Sequence, residues 1–107
     1  MKLTEKRCVP CEAGEPPMDP KQIKELIKQL PKGWKVIDNK KIEKDFNFKS
    51  YPDTIAFVNR CALIAQDEGH HPDMEVHYSN VVVRLSTHSV GGLSENDFIL
   101  ASKIDVK

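Results

Sequence analysis

Met74-Glu75-Val76-His77-Tyr78-Ser79-Asn80-Val81-Val82-Val83-Arg84-Leu85 reads as two short strands around a turn. Met74, Val76 and Tyr78 alternate with polar neighbours before Ser79-Asn80, and Val81, Val83 and Leu85 resume the apolar set after it. A period of two marks a strand buried on one face, and turn residues between two such runs mark a hairpin. With Ser79-Asn80 as a two-residue loop, Tyr78 faces Val81, and the same register carried backward sets His71 opposite His88. Both histidines would then share the polar face with Arg84 and Ser86.

Upstream of this hairpin, Ser50 with Asp53 three residues on, and Pro52 in the first turn, opens a helix that continues to Glu68 and stops at Gly69. Ile55, Val58, Ala62 and Ala65 form its expected apolar face, widened by Phe57, Cys61 and Ile64, so the helix should pack over a sheet. Before it, Trp34, Val36, Ile42, Phe46 and Phe48 alternate around Asp38-Asn39-Lys40-Lys41, which predicts a first hairpin. Asp19-Pro20 with Gln22 is a capping box with proline at the first helical position. It starts a helix that carries Ile23, Leu26, Ile27 and Leu30 before Pro31 and Gly33 end it. Ser94 with Asp97 opens a closing helix over Phe98, Leu100, Ala101 and Ile104, and Gly91-Gly92 turns the preceding strand into it. Residues 1–18 hold Cys8-Val9-Pro10-Cys11 and Pro16-Pro17 with little periodicity and read as an extended arm; residues 19–107 are the domain proper. The order αββαββα, with strands in pairs, predicts an α+β fold: one domain, a four-stranded antiparallel sheet, helices packed on one face.

A chain of 107 residues has room for one such domain. Sixteen basic residues cancel sixteen acidic ones, so no net field favours nucleic acid or an anionic membrane. No apolar run approaches the roughly 18 residues that span a bilayer, and the charged start Met1-Lys2-Leu3-Thr4-Glu5-Lys6 is unlike a signal peptide, so the expected location is the cytoplasm. Three cysteines, an odd count, cannot close a disulfide framework, which agrees with a reducing compartment. A small sheet covered on one face leaves edges that a second copy can protect, so a homodimer or homotetramer is expected.

The chemistry should sit with His70, His71 and His88, gathered at one end of the second hairpin beside the end of the long helix. An imidazole titrates near neutrality and can serve as acid or base. A lone strand histidine, such as His77, reads instead as a solvated residue. No metal is expected: adjacent residues of an extended chain point to opposite faces, which suits His70 and His71 poorly as ligands of one ion. Cys8 and Cys11 have CxxC spacing but lack a second pair to complete four ligands, and Cys61 falls on the apolar helix, so all three read as plain thiols. Asp97 has two readings, the acidic member of a capping box and a carboxylate that orients an imidazole.

With these residues in place, the chain resembles the pterin-4a-carbinolamine dehydratase family. The resemblance rests on His70-His71-Pro72, Tyr78, His88 and Asp97. It extends to Trp34, Phe46-Asn47-Phe48 and Ser86-Thr87-His88-Ser89-Val90-Gly91-Gly92-Leu93, over about residues 20–105. The position four before His70, commonly acidic in the family, is Gln66 here, and Gly69 stands where members usually carry an acidic or polar residue. The resemblance implies a cytoplasmic hydro-lyase that removes water from 4a-hydroxytetrahydropterin, without metal or organic cofactor. It implies His71 and His88 as the proton-transfer pair, His70 as a binding and assisting group, Asp97 as support, and substrate contacts at Gly69, His70, His71, Ser86, Thr87, His88 and Ser89. The pterin is the expected partner, with no direct nucleic-acid role. Animal members also act as dimerisation cofactors of a homeodomain transcription factor, so an interaction or assembly module is the alternative.

Overall fold

The computed structural model describes residues 2–10 and 14–106; Cys11, half of the CxxC pair, lies outside the described residues. Helix α1 spans Pro20–Ile27, strands β1 and β2 span Lys35–Ile37 and Lys41–Asn47, and helix α2 spans Tyr51–Glu68. Strands β3 and β4 follow at Asp73–Val76 and Asn80–Leu85, and helix α3 closes the chain at Glu95–Ile104. The strands form one antiparallel sheet in the order β1-β2-β4-β3. This is the α+β architecture and the αββαββα order expected.

Each helix start follows its capping residues. Asp19 Oδ1 accepts from the Gln22 N–H at 2.8 Å while Gln22 Oε1 accepts from the Asp19 N–H at 3.0 Å. Ser50 Oγ accepts from the Asp53 N–H at 3.2 Å. Helix α1 ends at Ile27, three residues short of the Leu30 expected. Pro31 disfavours helical backbone at Leu30, and the chain tightens through Gln29 N–H to Leu26 O and Leu30 N–H to Ile27 O. Leu30 stays buried.

In the first hairpin, Asp38 and Asn39 take φ of 53° and 56°. Aspartate and asparagine are the side-chain-bearing residues that tolerate this region best, so the polar stretch makes the turn as read.

The second hairpin differs from its expected register. Val76, not Tyr78, pairs with Val81, and the ladder runs through Met74↔Val83 to Asp73↔Arg84. A two-residue loop of the hairpin type at Ser79-Asn80 would need positive φ there, and neither residue has it. Asn80 instead pairs with Asn47 on β2, and the Ser79 carbonyl accepts from the Phe48 N–H at 2.8 Å. The neighbouring strand thus draws Asn80 out of the turn, which shifts to Tyr78-Ser79, and the loop closes through His77 N–H to Asn80 O. His71 therefore does not face His88, which sits beyond the ladder in a 3₁₀ turn, His88–Val90. Because the slip is by two residues, every side chain keeps its face. Val81, Val83 and Leu85 are buried, while Arg84 on the open face pairs with Glu43 and Glu75.

Against the covered face, α2 presents Thr54, Phe57, Cys61, Ala65 and Glu68. The buried line is displaced from the one expected, with Ala62 exposed and Ile55 and Val58 half-buried. Phe57 sets it: its ring lies 4.6 Å and 5.1 Å from those of Phe46 and Phe48, and seating the bulkiest side chain fixes the helix's rotation. Thr54 can enter the core because its hydroxyl lies within 3.1 Å of the carbonyls of Ser50 and Tyr78. Helix α3 is buried nearly all round, packed against α2 and against the 3₁₀ turn of the N-terminal segment that carries the buried Leu3.

Candidate active site

Helix α2 ends on Gly69 at φ 69°, the left-handed stop glycine adopts without strain. The next residues, His70 and His71, leave the helix end at once, and Pro72 holds His71 extended. On the other side, Thr87 N–H to Gly92 O at 2.7 Å and Gly91 at φ 70° close a short loop that carries His88 and Ser89. Between these segments lies a cavity of about 420 Å³. Gly69, His70, His71, Ser86, Thr87, His88 and Ser89, the seven residues expected to touch substrate, all line it. His77 is elsewhere, exposed at the far end of β3 beside Glu75.

The buried centre of the site is Asp97, fully enclosed at the start of α3. Its Oδ2 accepts from the Ser94 N–H at 3.0 Å and the Thr87 hydroxyl at 2.8 Å, and its Oδ1 lies 2.6 Å from His70 Nε2. Both readings of this aspartate hold, the helix cap and the partner of an imidazole. A carboxylate only accepts, so His70 Nε2 carries the hydrogen and Nδ1 is the ring's remaining acceptor when the imidazole is neutral. His70 is thus fixed in orientation and tautomer, with its side chain 13% exposed.

His71 and His88 are more open to solvent. His71 Nε2 lies 3.2 Å from Gln66 Oε1, so the residue at the commonly acidic position does reach the site. A neutral amide can orient the ring but brings no charge to it. Among the described residues, no three His, Cys, Asp or Glu side chains are grouped to hold a metal ion.

Five cavity residues were not expected at the site from the sequence: Cys8, Val9, Pro10, Glu68 and Asn96. Glu68 had a signal, as an acid three residues after Ala65 on the buried line of α2. Burial pushes its pKa up, but hydrogen bonds from Lys103 and the Cys8 N–H, with the charges of Lys103 and Arg7, outweigh this and hold it below the ordinary carboxylate value. Burial, followed by the charge of Glu68, raises the Cys8 thiol to about 12, and burial raises Cys61 to about 11. Both are therefore protonated thiols at neutral pH.

A family model described as Pterin 4 alpha carbinolamine dehydratase matches residues 16–106. A protein of Nitrosomonas europaea, provisionally named a pterin-4-alpha-carbinolamine dehydratase, is 50% identical over 104 residues, 97% of this chain and 91% of its own. The crystal structure of a transcriptional coactivator/pterin dehydratase from Brucella melitensis superposes with a TM-score of 0.78 at 31% identity, over 83% of this chain and 95% of that one. A pterin dehydratase-like protein identified as a RuBisCO assembly factor of the alpha-carboxysome shares the fold, with a TM-score of 0.59 at 24% identity over 68% of this chain and 86% of its own.

Proposed function

The chain belongs to the pterin 4 alpha carbinolamine dehydratase family, and from that membership we propose that it is a hydro-lyase that dehydrates 4a-hydroxytetrahydropterin to the quinonoid dihydropterin. One observation carries the reading: three imidazoles from two separate segments line one cavity, and a fully buried carboxylate orients one of them. The volume suits a bicyclic heterocycle.

In the reaction the C4a–O bond breaks and its electron pair leaves with the hydroxyl, which a general acid protonates to water. A general base takes the N5 proton as the C4a=N5 bond forms. His71 and His88, on opposite segments of the cavity, are the proton-transfer pair of this proposal. His70, held by Asp97, binds and assists, and main-chain and hydroxyl groups at Gly69 and from Ser86 to Ser89 hold the ring. Electrons are neither gained nor lost overall, so the chemistry calls for no redox cofactor, and imidazoles supply the proton transfers without a metal. Activity is expected to survive exhaustive chelation, as checked by elemental analysis alongside the assay.

The same proposal includes action in the cytoplasm, as a homodimer or homotetramer, by a domain over residues 19–107 that follows an arm over residues 1–18. The deciding experiment is turnover of enzymatically generated 4a-hydroxytetrahydropterin, followed spectrophotometrically. Dehydration well above the spontaneous rate is expected. A folded protein that leaves that rate unchanged would favour the second reading, an interaction or assembly module, which draws support from the coactivator named in the Brucella relative.

A further inference from the structure

We propose that Cys8, Val9 and Pro10 form a wall of the pterin cavity that determines how tightly substrate is held, and that Asn96 and Glu68 are the positioning residues that dock it. The proposal rests on the dehydratase reading for the identity of the ligand. All three wall residues line the same cavity as the histidines.

An irregular terminal segment ordinarily leaves its backbone to water. Here it is taken up by buried side chains. Glu68 Oε1 accepts from the Cys8 N–H at 2.8 Å, Asn96 Oδ1 accepts from the Val9 N–H at 3.0 Å, and Asn96 Nδ2 donates to the Val9 carbonyl. The Cys8 thiol lies 3.6 Å from the Asn96 carbonyl and can donate to it. The Glu68 side chain is 2% exposed, with Lys103 Nζ at 2.6 Å and Arg7 at 3.6 Å to neutralise it. Other ties, such as Lys6 to Glu95 and Arg7 to Asp67, involve exposed or half-exposed charges of small worth. Beside the cavity, docking therefore rests on Glu68 and Asn96, while the buried Leu3 anchors the segment farther along.

These two residues stand beside the catalytic set in sequence. Glu68 lies two before His70, and Asn96 directly precedes Asp97. The end of α2 and the start of α3 thus each hold both walls, with Asp97 on the histidine side and Asn96 on the arm side. The histidine wall is polar and ionisable, whereas the arm offers a neutral thiol, a valine and a proline. An apolar wall in a cavity that also carries polar groups suits the face of a flat heterocycle or its C6 substituent, whose burial favours binding without entering the proton transfers. Such binding, equal in ground and transition states, lowers KM and leaves kcat alone.

The test compares the full chain with Asn96→Ala and with a chain lacking residues 1–10, measuring kcat, KM and the Kd of 7,8-dihydrobiopterin as a stable probe. Both variants should raise KM and Kd by about tenfold, the scale of one or two lost hydrogen bonds, with kcat within about twofold. Deletion also removes the buried Leu3, so Asn96→Ala, which keeps it, decides the matter if the shortened chain does not fold. Unchanged KM and Kd in folded Asn96→Ala, or a loss confined to kcat, would overturn the wall while leaving the dehydratase reading intact. If the full chain binds the probe without turnover, that reading fails and the Kd comparison still decides the wall; if it binds no probe, both fall.

Discussion

Asp97 is a single residue with two duties, and each depends on its burial. Oδ2 satisfies the start of α3 and the Thr87 hydroxyl, while Oδ1 fixes His70. Asp97→Asn keeps the size but replaces one acceptor oxygen with a donor, so one of these groups is left facing an N–H. A stability loss of about 1–3 kcal/mol is expected by urea titration, from one buried group left unpaired. A kcat loss of at least about tenfold is also expected, from a misoriented imidazole. For the proposed proton-transfer pair, His71→Ala or His88→Ala should lower kcat by about 10²- to 10⁴-fold. The double variant should be little worse than the poorer single, since groups acting in one transition state are not additive. His77→Ala, outside the cavity, should keep near-normal rates. Folding is checked by far-UV circular dichroism, and wild-type kcat in both folded single variants would remove the assignment.

Among the elements, α2 has a buried line that its composition misrepresents. Its inward line includes a threonine and a glutamate and leaves Ala62 and Leu63 outside. The polar members are admissible because other elements complete their hydrogen bonds. For Glu68 this has a consequence in acid. Its native pKa lies below the ordinary 4.5, because Lys103, the Cys8 N–H and Arg7 outweigh desolvation. The unfolded chain therefore takes up the proton first. The carboxylate's contribution is complete above about pH 4.5 and is lost as the pH falls through the depressed native value. In urea titrations between about pH 7 and pH 3, the midpoint should fall further for the wild type than for Glu68→Gln, which cannot titrate there. Equal falls would show that Glu68 carries none of the acid sensitivity.

The whole molecule buries one face of its sheet and leaves β1 and β3 as edges. Val76 and Tyr78 beside one edge, and Leu63 on α2, are 45%, 75% and 74% exposed. Unpaired edges and apolar surface of this kind are what a symmetric partner covers. Light scattering across a concentration series should return two or four times the mass of one chain; a single-chain mass throughout would refute the homo-oligomer.

What the sequence determined by itself was local: caps at Asp19, Ser50 and Ser94, the stop at Gly69, the polar turn at Asp38-Asn39 and the alternation that assigned each face of β4. Each depends on residues within one or two turns of one another, so spacing alone can specify it. The histidine segments were legible too, and they meet at one cavity even though the expected register was two residues out. That register was decided by β2, whose pairing with Asn80 cannot be seen within the hairpin. The closure of the cavity by residues 8–10 was likewise a tertiary outcome. It needs Glu68 and Asn96, 60 and 87 positions away from the residues they hold, and contacts across such separations leave no period in the chain. The rotation of α2 belongs with them, because Phe57 chose its side only once Phe46 and Phe48 were there to receive it.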